Sequence, residues 1–109
     1  MATSNMRNIV TSAALEAFED KIAAQIQEGK ARLEQLEAKA KGKGAEAETA
    51  AINTLKAAKQ NISRKVHELK TTHESDMATA KADIEADVTD LKSAIDALGA
   101  KLKNYPTRQ

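Results

Sequence analysis

Three features of the chain predict an all-α fold of long amphipathic helices. Ala, Lys, Glu and Leu dominate the sequence, and all four are strong helix formers, whereas the β-branched and aromatic residues that favour sheets are scarce. Apolar residues recur every three or four positions from Leu15 to Tyr105. Interior punctuation is confined to Lys41-Gly42-Lys43-Gly44, before Pro106 ends the pattern.

The apolar residues are thinly spread. Of the 109 residues 41% are hydrophobic, but 22 of those are Ala, and Phe18 and Tyr105 are the only aromatics. Such a composition suits narrow helix-to-helix seams better than a broad globular core. There is no cysteine, so no disulfide, thiol nucleophile or thiolate metal site is available. The polar start, Met1 to Arg7, has no apolar signal-peptide core, and no run approaches the roughly 18 apolar residues of a membrane span, which predicts a soluble, cytoplasmic protein.

The first helix is predicted over about residues 9–41, with Leu15, Phe18, Ile22, Ile26, Gly29, Leu33, Leu36 and Ala40 on one face. Thr11 and Ser12 are the candidate N-caps, with Ile9 and Val10 placed to extend the helix upstream. Two glycines close together cost a helix about 2 kcal/mol relative to Ala, so the loop is placed at about 42–45. A loop this short returns the next helix antiparallel.

The second stripe runs through Ile52, Leu55, Lys59, Ile62, Val66, Leu69, His73, Met77, Ala80, Ile84, Val88, Leu91, Ile95, Leu98, Leu102 and Tyr105. Its spacing is heptad-like up to Leu69 and then eleven-periodic, with Val66, Met77 and Val88 eleven apart, a period that straightens helix packing. Thr71-Thr72-His73-Glu74-Ser75-Asp76 interrupts the helix formers, and Thr71 with Glu74 spells a capping box.

Two arrangements satisfy this pattern. The favoured one is an antiparallel hairpin whose second helix runs unbroken over about 46–104, ahead of a tail at 105–109. At ~88 Å against ~50 Å for the first helix, it would leave Met77 to Leu102 to be covered by a second copy, giving a dimer of coiled-coil or four-helix type. The alternative is a monomeric three-helix bundle broken near 71–76, about the size of a spectrin-like repeat. Continuity of phase, and the lack of Gly or Pro near 71–76, favour the hairpin. Charge fits both: residues 42–70 carry six basic and three acidic groups, and residues 71–104 four basic and seven acidic.

Chemistry-bearing constellations are few. His67 and His73 are six residues apart and so lie on different faces, and neither is preceded at three residues by Glu as a di-iron bundle requires. No metal or cofactor is therefore expected, and His73 is expected to be a polar seam residue that sets register. Asp83, Asp87 and Asp90 form an acidic ridge, and Lys56, Lys59, Arg64 and Lys65 a basic one. With a net charge of +1 and no aromatic interleaving, specific nucleic-acid binding is not expected. Ser and Thr cluster where caps explain them, and no phosphate-cradling glycine motif is present, so no catalytic residue is assigned and the chain is not expected to be an enzyme.

The leading expectation is a non-enzymatic structural or interaction protein that oligomerises through its seam and presents charged faces to a protein partner. The expected interface comprises Leu15, Phe18, Ile22, Ile26, Leu33 and Leu36 in the first helix. In the remainder it comprises Ile62, Val66, Leu69, Met77, Ile84, Val88, Leu91, Ile95, Leu98 and Leu102. The Ala-rich, Lys/Glu-rich, eleven-periodic character is similar in style to phasins and exchangeable apolipoproteins, although no motif residue carries the likeness. That style implies the alternative of an amphipathic coat on a membrane or granule surface, which the shortage of interfacial aromatics disfavours. A small regulatory helical subunit of an enzyme is the third reading.

Overall fold

The computed structural model describes the backbone of residues 2–106 and the side chains of residues 13–106. Three α-helices account for most of it: α1 (Ala2–Lys43), α2 (Glu46–Glu68) and α3 (Met77–Lys103). Among the described residues there is no strand. α1 starts well upstream of Thr11 and Ser12, so its backbone has no N-terminus at those expected caps; their side chains lie outside the described set.

The first connection is shorter than the predicted loop, because Gly42 stays inside α1 and a single glycine makes the turn. Gly44 has φ +66°, the left-handed conformation that ends helices, and the Gly44 N–H donates to the Lys41 carbonyl at 3.2 Å. The Ala45 N–H donates to the Ala40 carbonyl at 2.9 Å. These two bonds form a Schellman motif, and its usual apolar contact is supplied by Ala40 and Ala45, both buried. Glu46 and Glu48 then occupy the first turn of α2, where carboxylates suit the positive end of the helix dipole.

The unbroken helix over 46–104 does not occur. Leu69–Thr71 tightens into a 3-10 turn, Thr72 (ψ 135°) and His73 (ψ 142°) are extended, and Glu74–Asp76 forms a second 3-10 turn ahead of α3. Side chains that compete with the helical ladder hold this reversal. The hydroxyls of Thr71 and Thr72 both donate to the Glu68 carbonyl, at 3.1 and 2.9 Å, while His73 Nδ1 accepts from the Ser75 N–H at 3.2 Å. The expected Thr71–Glu74 capping box is thus replaced by a histidine cap. His73 is exposed and is not a seam residue. Extended dihedrals at Thr72 and His73 are open to any L-residue, which is why neither Gly nor Pro marks the turn.

The result is an up-down-up bundle. Contacts between α1 and α3 advance in the same direction along both helices, from Lys81 over the Phe18 ring at 5.5 Å, through Arg32–Asp96, to Lys43 Nζ, which donates to the Leu102 carbonyl at 2.6 Å. α2 runs antiparallel to both. The molecule is a rod of 72 × 18 × 16 Å. Ile22 and Leu33 from α1, Ile52 and Ile62 from α2, Leu69, and Ile84, Ile95 and Leu102 from α3 are its most deeply buried large side chains. Among the described residues no polar side chain is buried.

Two outcomes test this account. A Thr71→Ala/Thr72→Ala/His73→Ala/Ser75→Ala variant removes the competing hydrogen bonds, each worth about 1 kcal/mol net, but not the burial of α3, so it is expected to melt at a lower temperature while staying folded back. Spin labels at Asn61 of α2 and Asp90 of α3, which line one groove, should stay close together; separation to about 43 Å, the length of 29 helical residues, would refute burial as what keeps α3 folded back. The glycines should split in sign. Gly44→Ala is expected to destabilise by about 1 kcal/mol, because a Cβ is disfavoured at positive φ. At Gly29→Ala a Cβ would meet Ile95 Cδ1 at an ordinary 3.6 Å, and removing a mid-helix glycine is expected to stabilise by roughly 0.5–1 kcal/mol in thermal melts.

Candidate partner-binding groove

Packing three helices in a triangle leaves three outward grooves, and the side chains along each decide whether it stays open. Over the α1/α2 groove Lys56 Nζ reaches Glu37 Oε2 at 2.7 Å, with Lys30, Glu34 and Lys59 beside it. Over the α1/α3 groove Arg32 pairs with Asp96 at 2.5 Å, flanked by Glu28 and Lys92. Each is crossed by an ion pair among the mainly polar and charged side chains that line it, beside cavities of about 260 and 110 Å³.

The α2/α3 groove differs. Its only clasp among the described residues sits at the end near the chain reversal, where Lys65 Nζ bridges Asp87 at 2.6 Å and Asp83 at 3.0 Å. Beyond it the walls are Leu55, Ala58 and Ile62 from α2, and Leu91 and Ala94 from α3. The groove continues between Ala51, Thr54 and Leu55 on one side and Ala94, Ala97, Leu98 and Lys101 on the other. The two stretches, of about 330 and 370 Å³, share Leu55 and Ala94 and form one open trough. Leu55, Ala58 and Ala94 are half-buried, while Ala51, Thr54, Ala97, Asp90 and Lys101 are exposed.

The residues expected to form an intermolecular seam lie inside this single chain. Phe18, Ile22, Leu33, Leu36, Ile62, Leu69, Ile84, Val88, Leu91, Ile95, Leu98 and Leu102 are buried, and Leu15, Ile26, Val66 and Met77 pack on that core half-buried. An interface made of them would require the bundle to open. The basic ridge does not act as a unit either: Lys56 and Lys65 are held by carboxylates on different partner helices, and Arg64 lies 3.9 Å from Glu68 on its own helix. Asp83 and Asp87 of the acidic ridge are engaged by Lys65, whereas Asp90 is in no ion pair among the described residues. Among the described residues no three His, Cys, Asp or Glu side chains converge as a metal site would require. No helix among them is long and apolar enough to cross a membrane.

Sequence reasoning singled out Asp83, Asp87 and Asp90 but did not follow that stripe onward. Asp83, Asp87, Asp90, Ala94, Ala97 and Lys101 recur at four, three, four, three and four, a heptad running beside the apolar seam. The periodicity was visible in the residues; its alanines look like helix filler until the reversal places α2 beside α3. Compared with protein-family models, characterised proteins and solved structures, the chain has no match.

Two side chains in the clasps are shifted from their ordinary protonation range. The hydrogen bond from Lys56, reinforced by the charges of Lys41 and Lys56, holds the Glu37 carboxyl below the usual 4.5 against a smaller desolvation effect. Hydrogen bonds to Asp87 and then Asp83 hold the Lys65 ammonium above the usual 10.5. A raised folded-state value contributes stability that is complete below the unfolded value and is lost as pH rises through the folded one. The thermal-stability gap between the protein and Lys65→Met is therefore expected to be constant near neutrality and to close in the alkaline range above about pH 10.5. The gap to Glu37→Gln should close at the other end, below about pH 4.5. Since these pairs are half-buried at most and still reached by water, both gaps should be small; gaps that persist at the pH extremes would show that the clasps are not the cause.

Proposed function

We propose that this is a non-enzymatic structural or interaction protein, a slender helical rod that binds a macromolecular partner along its α2/α3 groove. The observation that carries the reading is the asymmetry among the three grooves: two are lined mainly by polar and charged side chains that an ion pair crosses, and the third is an apolar trough open between charged ends. Ala51, Ala58, Ala94 and Ala97 keep its walls low, so an incoming helix can seat close to the backbone of both α2 and α3, the helix-in-groove mode of recognition.

Five of the hydroxyl groups are engaged locally, which supports a non-enzymatic role. Thr49, Thr54, Thr71 and Thr72 all donate to backbone carbonyls of their own chain segment, and Ser75 lies against the histidine that caps its own turn. None is paired with a base inside a cleft, as nucleophilic catalysis needs. Oligomerisation belongs to the same proposal, and because the seam is occupied it uses the outer face of α2 and α3.

Placing a photoreactive amino acid at Thr54, midway along the trough, tests the reading. Irradiation in cells is expected to yield a discrete adduct that Ala94→Arg, which fills the trough, removes without loss of helicity. An adduct insensitive to Ala94→Arg, or no adduct at all, would refute the groove as a binding face.

A further inference from the structure

We propose that the occupant of the α2/α3 groove is a second copy of this chain, docked antiparallel about a two-fold axis that crosses α3 between Ala94 and Ala97. The inference deepens the proposed function and rests on the groove being a binding face.

The argument starts from the order of charges on the outward stripe of α3. Asp90, Ala94, Ala97 and Lys101 follow one another at four, three and four, with the acid toward the reversal and the base toward the C-terminal end. Turned through a two-fold axis at its midpoint, this stripe is its own complement: Asp90 meets the partner's Lys101, Ala94 meets the partner's Ala97, and each of these pairs occurs twice. A parallel arrangement would instead oppose Asp90 to Asp90 and Lys101 to Lys101, so charge selects one orientation. Both groups are exposed and, among the described residues, neither is in an ion pair. Asp87, one step up the stripe, is already held by Lys65 at 2.6 Å, which leaves Asp90 as the acid able to reach across.

Alanine against alanine at the centre lets the helices approach without a clash. Leu55, half-buried on the α2 side of the same trough, supplies a large apolar group for the partner to cover. With a net charge of only +1 per chain, two copies meet little overall repulsion. The stretch from Asp87 to Lys101 is about 21 Å long and two helices are about 20 Å wide, so roughly 400 Å² of each copy is covered. That is about 800 Å² over both copies, below the range of stable specific interfaces, which makes the dimer weak, reversible and concentration-dependent.

Sedimentation velocity of the full chain from about 10 μM to about 1 mM, a range suited to so small an interface, tests the proposal. The mass is expected to rise from 11.7 kDa toward twice that value. Asp90→Lys alone and Lys101→Glu alone should each remain monomeric, since each opposes like charges twice. An equimolar mixture of the two should regain the dimer, because both outer pairs become attractive in the mixed species, and the Asp90→Lys/Lys101→Glu double variant should regain it by itself. Circular dichroism of every variant confirms that the bundle is intact; the double variant carries both changes, so its association excludes misfolding as the reason the single variants stay apart. A protein that remains monomeric at the highest concentration, or single variants that associate like the parent, would overturn the proposal. Failure of this inference is distinguishable from failure of the groove reading through the Thr54 adduct. An adduct of twice the chain mass supports a second copy, an adduct of any other mass leaves the groove reading standing and overturns this one, and no adduct overturns both.

Discussion

Two extended residues, Thr72 and His73, decide where every apolar side chain of α3 goes. Burying a large aliphatic side chain is worth about 1.5–3 kcal/mol, so Ile84, Val88, Leu91, Ile95, Leu98 and Leu102 together represent on the order of 10 kcal/mol that a single chain recovers only by folding back. Carrying the helix straight through residues 69–76 would add a few backbone hydrogen bonds, each worth about 1 kcal/mol net. In one chain, burial outweighs continuity.

The core is a narrow column of aliphatic side chains drawn from three helices, and its register needs markers that such a core does not provide. The ion pairs supply them. Lys56–Glu37 relates α2 to α1, Arg32–Asp96 relates α1 to α3, and Lys65 with Asp83 and Asp87 relates α2 to α3. Exposed pairs add little stability, but each opposes sliding of one particular pair of helices. Lys43 completes the set from α1 by donating to the carbonyls of Leu102 and Tyr105, at 2.6 and 3.2 Å, where the end of α3 has unsatisfied acceptors.

The sequence made the helices and the seam legible because burial and periodicity are the same fact seen twice. Ile22, Leu33, Ile52, Ile84 and Ile95 recur at helical spacing because they face one core. The turn at Gly44 was legible for a similarly local reason, since positive φ has a residue signature. The reversal at 72–73 has none. Its dihedrals suit any residue, and its cause is a set of Thr, His and Ser side chains that serve equally well as caps or as exposed helix positions. The phase of the stripe also runs through it undisturbed, because a turn of suitable length returns the seam to the same axis. The groove was hidden for the same reason, as Ala58 and Ala94 become its walls only once α2 and α3 lie side by side.

The segregation of charge between residues 42–70 and 71–104 does less inside the fold than its size suggests. Only Lys65 joins α2 to α3 by ion pairing; Lys56 goes to Glu37 and Asp96 to Arg32, both on α1. What remains on α3 is a polarised rod, with Asp83, Asp87 and Asp90 toward its N-terminal end and Lys101 and Lys103 in its last turn. This order matches the backbone dipole, which is positive at the N-terminus and negative at the C-terminus. α2 lies antiparallel to α3, so their dipoles oppose and no further device is needed. α1 lies parallel to α3, the less favourable alignment, and it is α1 that sends Lys43 onto the carbonyl end of α3 and Arg32 onto Asp96. A new helix laid against α3 faces the same choice without those side chains, so both the backbone dipole and the charge order of the stripe favour an antiparallel neighbour.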